Sequence, residues 1–413
     1  MKIFLIIIPV IIYFLPYSLY GQTRGCTDPL AINYNKTATI NDGSCIYDAV
    51  KISPVSESNL SSILRETSGL LSWNDYLWTH NDNSDINIYM LDTIRGEILN
   101  TFPLTGAENN DWEEISMDET HIYIGDFGNN GAGNRTDLKI LKVEKNSLLA
   151  GNPSIETINY SYPEQTDFTS PGVNNTDFDC EAFIVSDDSI YLFTKQWISN
   201  RTSLYALPKS PGTYTAKLKA THDVEGLITG AVYLESKKIV ALSGYSSSLM
   251  PFVYLLYDFT GTDFFSGNKR KIIIDKPYYQ VEGISTVDGL KYFISNEYNS
   301  IGSFLTIPNK LQVIDLSIFL KKYINTITGK QDDSPDSNYI PYPIPAGDYI
   351  SVRCKNDSLR HLRYSLIDMT GKVVKSGMLP DETSGISVNG LPGGVYVLKI
   401  GENKADRYRI IKK

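Results

Sequence analysis

Between residues 66 and 316 apolar and polar positions alternate in short runs, and the runs return in a fixed order. Each unit opens with an acidic residue leading into an apolar stretch: Glu66-Thr-Ser-Gly-Leu, Glu113-Glu114-Ile-Ser, Glu181-Ala-Phe-Ile, Glu225-Gly-Leu-Ile and Glu282-Gly-Ile-Ser. A second run follows at 76–80, 121–127, 189–195, 238–245 and 291–298, and a third at 86–92, 138–143, 203–208, 252–259 and 311–316. Outer runs stand at 97–104, 156–162, 215–221 and 269–275. A period of two marks strands. Units of four antiparallel strands, about 45 to 65 residues apart, predict a β-propeller. Five units give five blades. Six stays open, because the interval from Glu114 to Glu181 has room for further strands. The fifth unit has no outer run after it, so residues 50–55 are expected to supply that strand and close the ring.

The last 75 residues carry a separate pattern. Short strands are expected at 349–352, 364–368, 373–376, 386–388, 395–400 and 408–411, with turns at Thr370-Gly371 and Pro392-Gly393-Gly394. The whole chain therefore reads as all-β: a five-bladed, alternatively six-bladed, propeller followed by a small C-terminal β-sandwich. The motifs Pro343-x-Pro345-Ala346-x-Asp348, Ile367-Asp368-x-Thr370-Gly371-Lys372, Leu391-x-x-Gly394-x-Tyr396 and the terminal Ile411-Lys412-Lys413 occur in order. This segment resembles the type A C-terminal sorting domain of the type IX secretion system of Bacteroidetes, with Ile344 where the family usually has Asn. The resemblance implies that residues 339–413 engage the type IX secretion machinery. It also implies a route through the periplasm to the outer-membrane surface or the medium, with later removal of the domain.

The N-terminus agrees with export. Lys2, the apolar run 3–15 and the small residues before Gln22 read as a cleavable signal peptide over 1–21. No later segment is apolar for long enough to span a bilayer as a helix, so no transmembrane segment is expected in the mature chain. Residues 22–48 form a short module bracketed by Cys26 and Cys45, which are expected to pair in an oxidising compartment. It resembles a Cys-bracketed module that recurs in secreted Bacteroidetes proteins. Its Asp28, Asn33, Asn35, Asn41 and Asp42 either ligate Ca²⁺ or make turns. The propeller is placed at 49–320 and a polar linker at 321–338. Cys180 and Cys354 read as small buried hydrophobes. The net charge of −9 disfavours nucleic acid or an anionic membrane as a partner, and 28 tyrosines suit an all-β secreted chain.

Propeller geometry sorts the polar residues. Loops leading into inner strands and loops leaving second strands open on one face. The inner openings place Glu66, Asp111, Glu113, Glu114, Asp179, Glu181, His222, Asp223, Glu225 and Glu282 there. The second-strand ends add His80, Asn81, Asp82, Asp85, Asp126, Asn129, Asn130, Lys195, Gln196, Tyr245, Asn296 and Glu297. Three readings stand. Glu114, Glu181, Glu225 and Glu282 are candidates to hold Ca²⁺ through carboxylate oxygens. His80, Asp82, Asp126 and His222 are candidates to activate water, with Asn81, Asn129, Asn130, Arg135, Lys195 and Arg201 binding a ligand or anionic substrate. Thirdly, the repeated Glu residues lock neighbouring blades together. Repetition favours this last reading for the Glu set, since a catalytic group is needed once and a structural one in every blade.

No serine elbow, zinc helix, P-loop or dinucleotide fingerprint occurs. The acidic openings and the Asp126-Phe127-Gly128-Asn129-Asn130 stretch resemble phytase-like, esterase-like phytase and SdiA-regulated propellers in layout. That resemblance carries no activity over. The sequence thus points to a secreted or surface propeller that binds an unknown extracellular ligand, with a calcium-assisted hydrolase of phosphate esters as the alternative.

Overall fold

A computed structural model describes residues 22–302, 305–328, 339–343, 345–354, 363–379, 385–401 and 406–413. The expected signal peptide, 1–21, and residues 329–338 of the expected linker lie outside this set. Five sheets form the body. Their innermost strands are Thr67–Trp73, Trp112–Met117, Asp179–Val185, Leu227–Leu234 and Val281–Thr286. Each inner strand neighbours the next, and the last neighbours the first, so the ring is closed with five blades. The long interval before the third blade holds a short helix, Lys145–Leu149, and irregular chain at 163–178 rather than a sixth blade.

Side chains alternate across a strand, so a blade packed between two others buries both faces. Trp78 therefore packs with Trp112 and Ile115 of the second blade, while Leu77 packs with Leu311 of the fifth. Three further apolar clusters fill the remaining gaps between successive blades. Strand Pro251–Tyr257 is buried along its whole length for this reason.

Closure comes from the N-terminus, but mainly through the residues just after those expected, with Val55 the one member of 50–55 that joins the fifth blade. Ser56–Asn59 pairs antiparallel with Lys310–Asp315 and completes the fifth blade, with Val55 N–H donating to the Val313 carbonyl at 2.7 Å. Val50–Ile52 instead runs parallel to Asn268–Ile274 as a fifth strand on the fourth blade. The division has a physical basis. Val50 and Ile52 pack on the apolar cluster between blades four and five, whereas the closing strand, Ser-Glu-Ser-Asn, is polar and carries no hydrophobic signal. Pro54, without an N–H, separates the two segments. The second blade is extended likewise by Gly212–Thr215, from the connection within the third.

The Cys26–Cys45 disulfide is present. Its module is held to the fourth blade by Asp28, whose Oδ2 accepts from Tyr47 Oη at 2.8 Å and Tyr257 Oη at 2.6 Å, and by Asn41, which donates to Asp258 at 2.8 Å. Three of the oxygens considered as Ca²⁺ ligands accept hydrogen bonds within the module: Asn35 from Thr37 N–H and Asp42 from Ser44 N–H in turns, and Asn33 from Ile46 N–H across it. Past the fifth blade, helix Ser317–Thr328 covers the first part of the expected linker and buries Phe319, Leu320 and Ile324. The C-terminal region has two sheets, Tyr339–Tyr342/Tyr349–Cys354/Ile386–Ser387 and Val373–Met378/Arg363–Asp368/Gly394–Ile400/Asp406–Lys412, around an apolar core of its own.

A chain beginning at residue 49 keeps both N-terminal strands and should remain monomeric. A chain beginning at residue 60 bares the edge of Lys310–Asp315 and should self-associate and lose cooperative unfolding. Light scattering with urea titration distinguishes them. A monomeric chain from residue 60 with an unshifted urea midpoint would contradict closure by Ser56–Asn59.

Candidate functional site

Every inner strand carries a β-bulge near its start, and the bulge decides which residues face the axis. In blades two to five the residue left without a cross-strand partner is Glu113, Glu181, Thr229 and Glu282 respectively; in the first blade Gly69 and Leu70 share the place. A bulge re-aims its side chain out of the ladder. Hence Glu113, not the metal candidate Glu114, is the second blade's counterpart of Glu282, and Thr229, not Glu225, is the fourth blade's. A sequence signal marks the true register: the bulged residue precedes a small one in Glu181-Ala182, Thr229-Gly230 and Glu282-Gly283.

Glu114 lies fully buried below the mouth and bridges blades. Its Oε1 accepts from Ile115 N–H at 2.9 Å and its Oε2 from Ala231 N–H of the fourth blade at 2.6 Å. Burial raises its pKa well above the usual carboxylate range, against the hydrogen bonds that lower it. Gly69, at φ +63°, makes room: a Cβ there would sit 2.7 Å from Ile115 N and 3.0 Å from Glu114 Oε1. Glu114 thus braces the second blade against the fourth.

Above it the axial mouth gathers carboxylates. Glu181 pairs with the buried Lys195 at 2.9 Å, and Lys195 also lies 4.8 Å from the Trp197 ring centroid and 5.3 Å from that of Tyr245. Burial alone would lower the lysine's pKa, but Glu181 and then Tyr245 and Glu282 hold it charged, with the pKa raised. Glu282 is pushed up to about 8, first by burial, with Glu181 and Asp82 adding to it and Lys195 opposing. Burial followed by the charge of Glu181 raises Asp111 to about 6 and lifts Glu113 and Asp179 further.

At the seam between blades five and one, Glu66, Asp82 and Glu297 place carboxylate oxygens within 4.8 Å of one another. Backbone bonds bring them there. Asp82 N–H donates to the Glu66 carbonyl at 3.0 Å, and Tyr298 N–H donates to the Arg65 carbonyl at 2.8 Å. Burial and then Glu66 raise Asp82 to about 7, while burial, Glu282 and Asp82 raise Glu297. Two ionised carboxylates at this spacing repel by on the order of 3 kcal/mol at an effective dielectric of about 20.

The other candidates are placed elsewhere or already engaged. His80 is fully buried against Trp112, its pKa lowered to about 4 by burial, so it stays neutral and cannot meet a substrate in solution. Asp126 is fully buried between Arg135, at 2.8 Å, and Lys139, at 3.0 Å. Arg135 is further occupied by Asp137 and the Gly128 carbonyl. Asn129 joins blades two and three, its N–H donating to Asp179 at 2.6 Å. Asn81 donates to Asp85 and the Ile63 carbonyl, and the Asn130 carbonyl accepts from Asn174 N–H. Arg201 is exposed at the start of a third strand. His222 and Glu225 do meet, but on the flank between blades three and four, in a groove of about 530 Å³ with Tyr254 and Lys271. There His222 Nε2 lies 2.8 Å from Tyr254 Oη and its ring stacks on Phe265. Cys180 is a buried free thiol.

The fold and site define a class: a five-bladed propeller with an acidic axial mouth, joined to a small β domain. Residues 341–413 match the secretion system C-terminal sorting domain family, which marks the chain for export by type IX secretion to the cell surface or the extracellular space. A comparison with curated proteins finds no match. Solved structures similar to this chain include PorZ, a bacterial surface component of the type IX secretion system of Porphyromonas gingivalis, at 12% identity and TM-score 0.31, over 84% of this chain and 45% of that one. The extracellular domain of the one-component system BT4673 from B. thetaiotaomicron is similar at 10% identity and TM-score 0.32, over 88% of this chain and 60% of that one. The WD40 repeats of RRP9 are similar at 10% identity and TM-score 0.34, over 64% of this chain and 99% of that one. The chain thus spans about half the length of the first two.

Two substitutions test the central packing. Glu114→Ala leaves two buried N–H groups without acceptors and should cost about 2 to 5 kcal/mol in urea unfolding. Lys195→Met leaves Glu181 charged and buried without its partner and should cost about 3 to 5 kcal/mol, much of it recovered in the Glu181→Leu/Lys195→Met double variant. Equal stability of the Lys195→Met single and double variants would contradict the pairing.

Proposed function

We propose that the chain is a surface or secreted binding protein, delivered by its sorting domain, whose propeller engages an extracellular ligand at the axial mouth. The observation that carries this reading is the acidic end of the axis: Glu113, Glu181 and Glu282 are set on bulges around it and buried with Lys195, and the half-buried Glu66, Asp82, Asp111 and Glu297 are the carboxylates there that a ligand can reach. A carboxylate that is ionised at neutral pH, as Asp111 is with its pKa near 6, accepts hydrogen bonds and does not donate them. A ligand facing it brings donors, as hydroxyl or ammonium groups do. A phosphate ester would bring negative charge to a site already rich in it. Of the basic groups that could hold such an ester, Arg135 is paired with Asp126 and Lys195 with Glu181. The binding reading is therefore favoured over the hydrolase.

Two measurements test it. In a host with type IX secretion, deletion of residues 341–413 should leave the protein in the periplasm, and appearance of the deleted form at the surface or in the medium would overturn delivery by this domain. On an array of neutral oligosaccharides and basic peptides, the full chain should bind at least one class. Glu66→Gln/Asp111→Asn, at the half-buried positions, should lose at least about tenfold in affinity, since each charge-assisted hydrogen bond is worth about 1.5 to 3 kcal/mol. Binding that is unaltered in the double variant would remove the mouth as the site.

A further inference from the structure

The propeller axis has a second end, and a cavity of about 300 Å³ lies there. All five blades line it with residues at or just past the ends of their inner strands, among them Leu71, Met117, Val185, Val232 and Val287. Ile115 and Ala231, which donate to Glu114 at the hub, also line it, and none of the carboxylates of the opposite mouth does. The wall is apolar apart from hydroxyl groups, and Ser72 and Ser285 are hydrogen-bonded to each other at 2.8 Å. At the lip Val287 is 75% exposed. The turns that follow the inner strands surround this lip. At 74–75, 118–120, 186–188, 235–238 and 287–290 they carry six exposed carboxylates, Asp75, Glu119, Asp187, Asp188, Glu235 and Asp288, against one exposed cation, Lys238. None of the six is ion-paired among the described residues. The bases nearby are engaged: Lys209 pairs with Asp118 at 3.1 Å and Lys237 donates to the Asp288 carbonyl. Asp187 and Asp188 crowd Glu235 across the gap between blades three and four, and with burial they raise its pKa.

We propose that this end of the axis docks a basic protein segment, an apolar side chain of which enters the cavity while lysine or arginine side chains beside it meet the carboxylates of the lip. An apolar surface rimmed by polar groups is the form an interaction site takes. The cavity supplies burial for one anchor, and anchors of this kind carry most of the affinity of an interface. Charge complementarity selects the flanks. A neutral apolar partner would bring nothing to meet the six carboxylates, and an acidic segment or an anionic lipid surface would be repelled by them. The carboxylates come from all five blades, so the cations must lie on more than one side of the anchor, as residues before and after it in a peptide do. The site is distinct from the carboxylate mouth at the other end and does not rest on ligand binding there.

The test uses the chain from residue 22 to 413 and fluorescent pentapeptides with two lysines on each side of a varied central residue. Peptides centred on leucine, isoleucine or methionine should bind, and a central glycine should weaken binding about tenfold, the order of affinity that burying such a side chain supplies. Raising NaCl from about 0.05 to 0.5 M should weaken binding at least about fivefold, because the lip charges are exposed and screened. Asp187→Lys/Asp188→Lys should cost at least about tenfold, since like charges then face each other. Ser116→Leu, which fills the half-buried wall of the cavity, should erase the preference for leucine over glycine. Should that variant fail to fold, Val287→Lys, at an exposed position of the lip, should weaken every peptide instead. Glu66→Gln/Asp111→Asn, at the opposite mouth, should bind these peptides as wild type does. Failure of every peptide to bind at about 1 mM, the weak limit of a specific contact, overturns the proposal. Equal binding of the same peptides with glutamate in place of lysine overturns it too. So does peptide binding lost in the Glu66/Asp111 variant but kept in the Asp187/Asp188 variant, which would leave the opposite mouth as the peptide site. Self-association of the chain that the Asp187/Asp188 variant abolishes would make the occupant a second copy and overturn the basic segment.

Discussion

Five inner strands converge on one axis, and the polar groups they carry there must be neutralised within the protein. This constraint governs the rest of the structure. Glu114 meets it by accepting from backbone N–H groups of its own blade and of the fourth. Glu181 meets it through Lys195. Serine and threonine hydroxyls do the same between neighbours: Ser68 donates to the Glu113 carbonyl at 2.6 Å, Thr229 to the Val281 carbonyl, and Ser285 lies 2.8 Å from Ser72. The ring is therefore held by apolar clusters between blades and by hydrogen bonds at the hub. A fault in either is felt by more than one blade.

The bulge connects this packing to the site. It allows one residue per blade to leave the ladder, and the next residue is small where backbones come closest: a Cβ on Gly230 would lie 2.4 Å from the Glu282 carbonyl oxygen. The same local deformation thus brings the strands together and projects carboxylates upward. The raised pKa values of Asp82, Asp111 and Glu282 follow first from burial and then from the neighbouring carboxylates.

Delivery and binding are divided between modules. The C-terminal domain has its own core and its own strands, and its sequence motifs concern export. The Cys26–Cys45 module has become part of the propeller's flank, with Asp28 shared between Tyr47 and Tyr257. Asn35 and Asp42 stabilise turns in it, and Asn33 ties residue 33 to residue 46 across it.

Much of the fold was legible in the sequence because burial on both blade faces leaves apolar runs such as 251–257, with turns between them. The five units, the outer strands, the disulfide and the sorting domain could all be read from neighbouring residues. The acidic face was legible too, since topology alone sends Glu66, Asp82, Glu181, Glu282 and Glu297 to one end. Which carboxylates meet was not. That depended on a one-residue bulge, which turns Glu113 toward the axis and Glu114 into the hub, and which gives Thr229 the place expected of Glu225. Nor was the closing strand legible, because Ser56–Asn59 is polar and pairs through its backbone with residues some 250 positions away. Periodicity reports which side of a strand is buried. Only the closed ring fixes which atoms, distant in the chain, come within a few ångströms of each other, because backbone pairing and charge crowding act across space and leave no mark on local sequence.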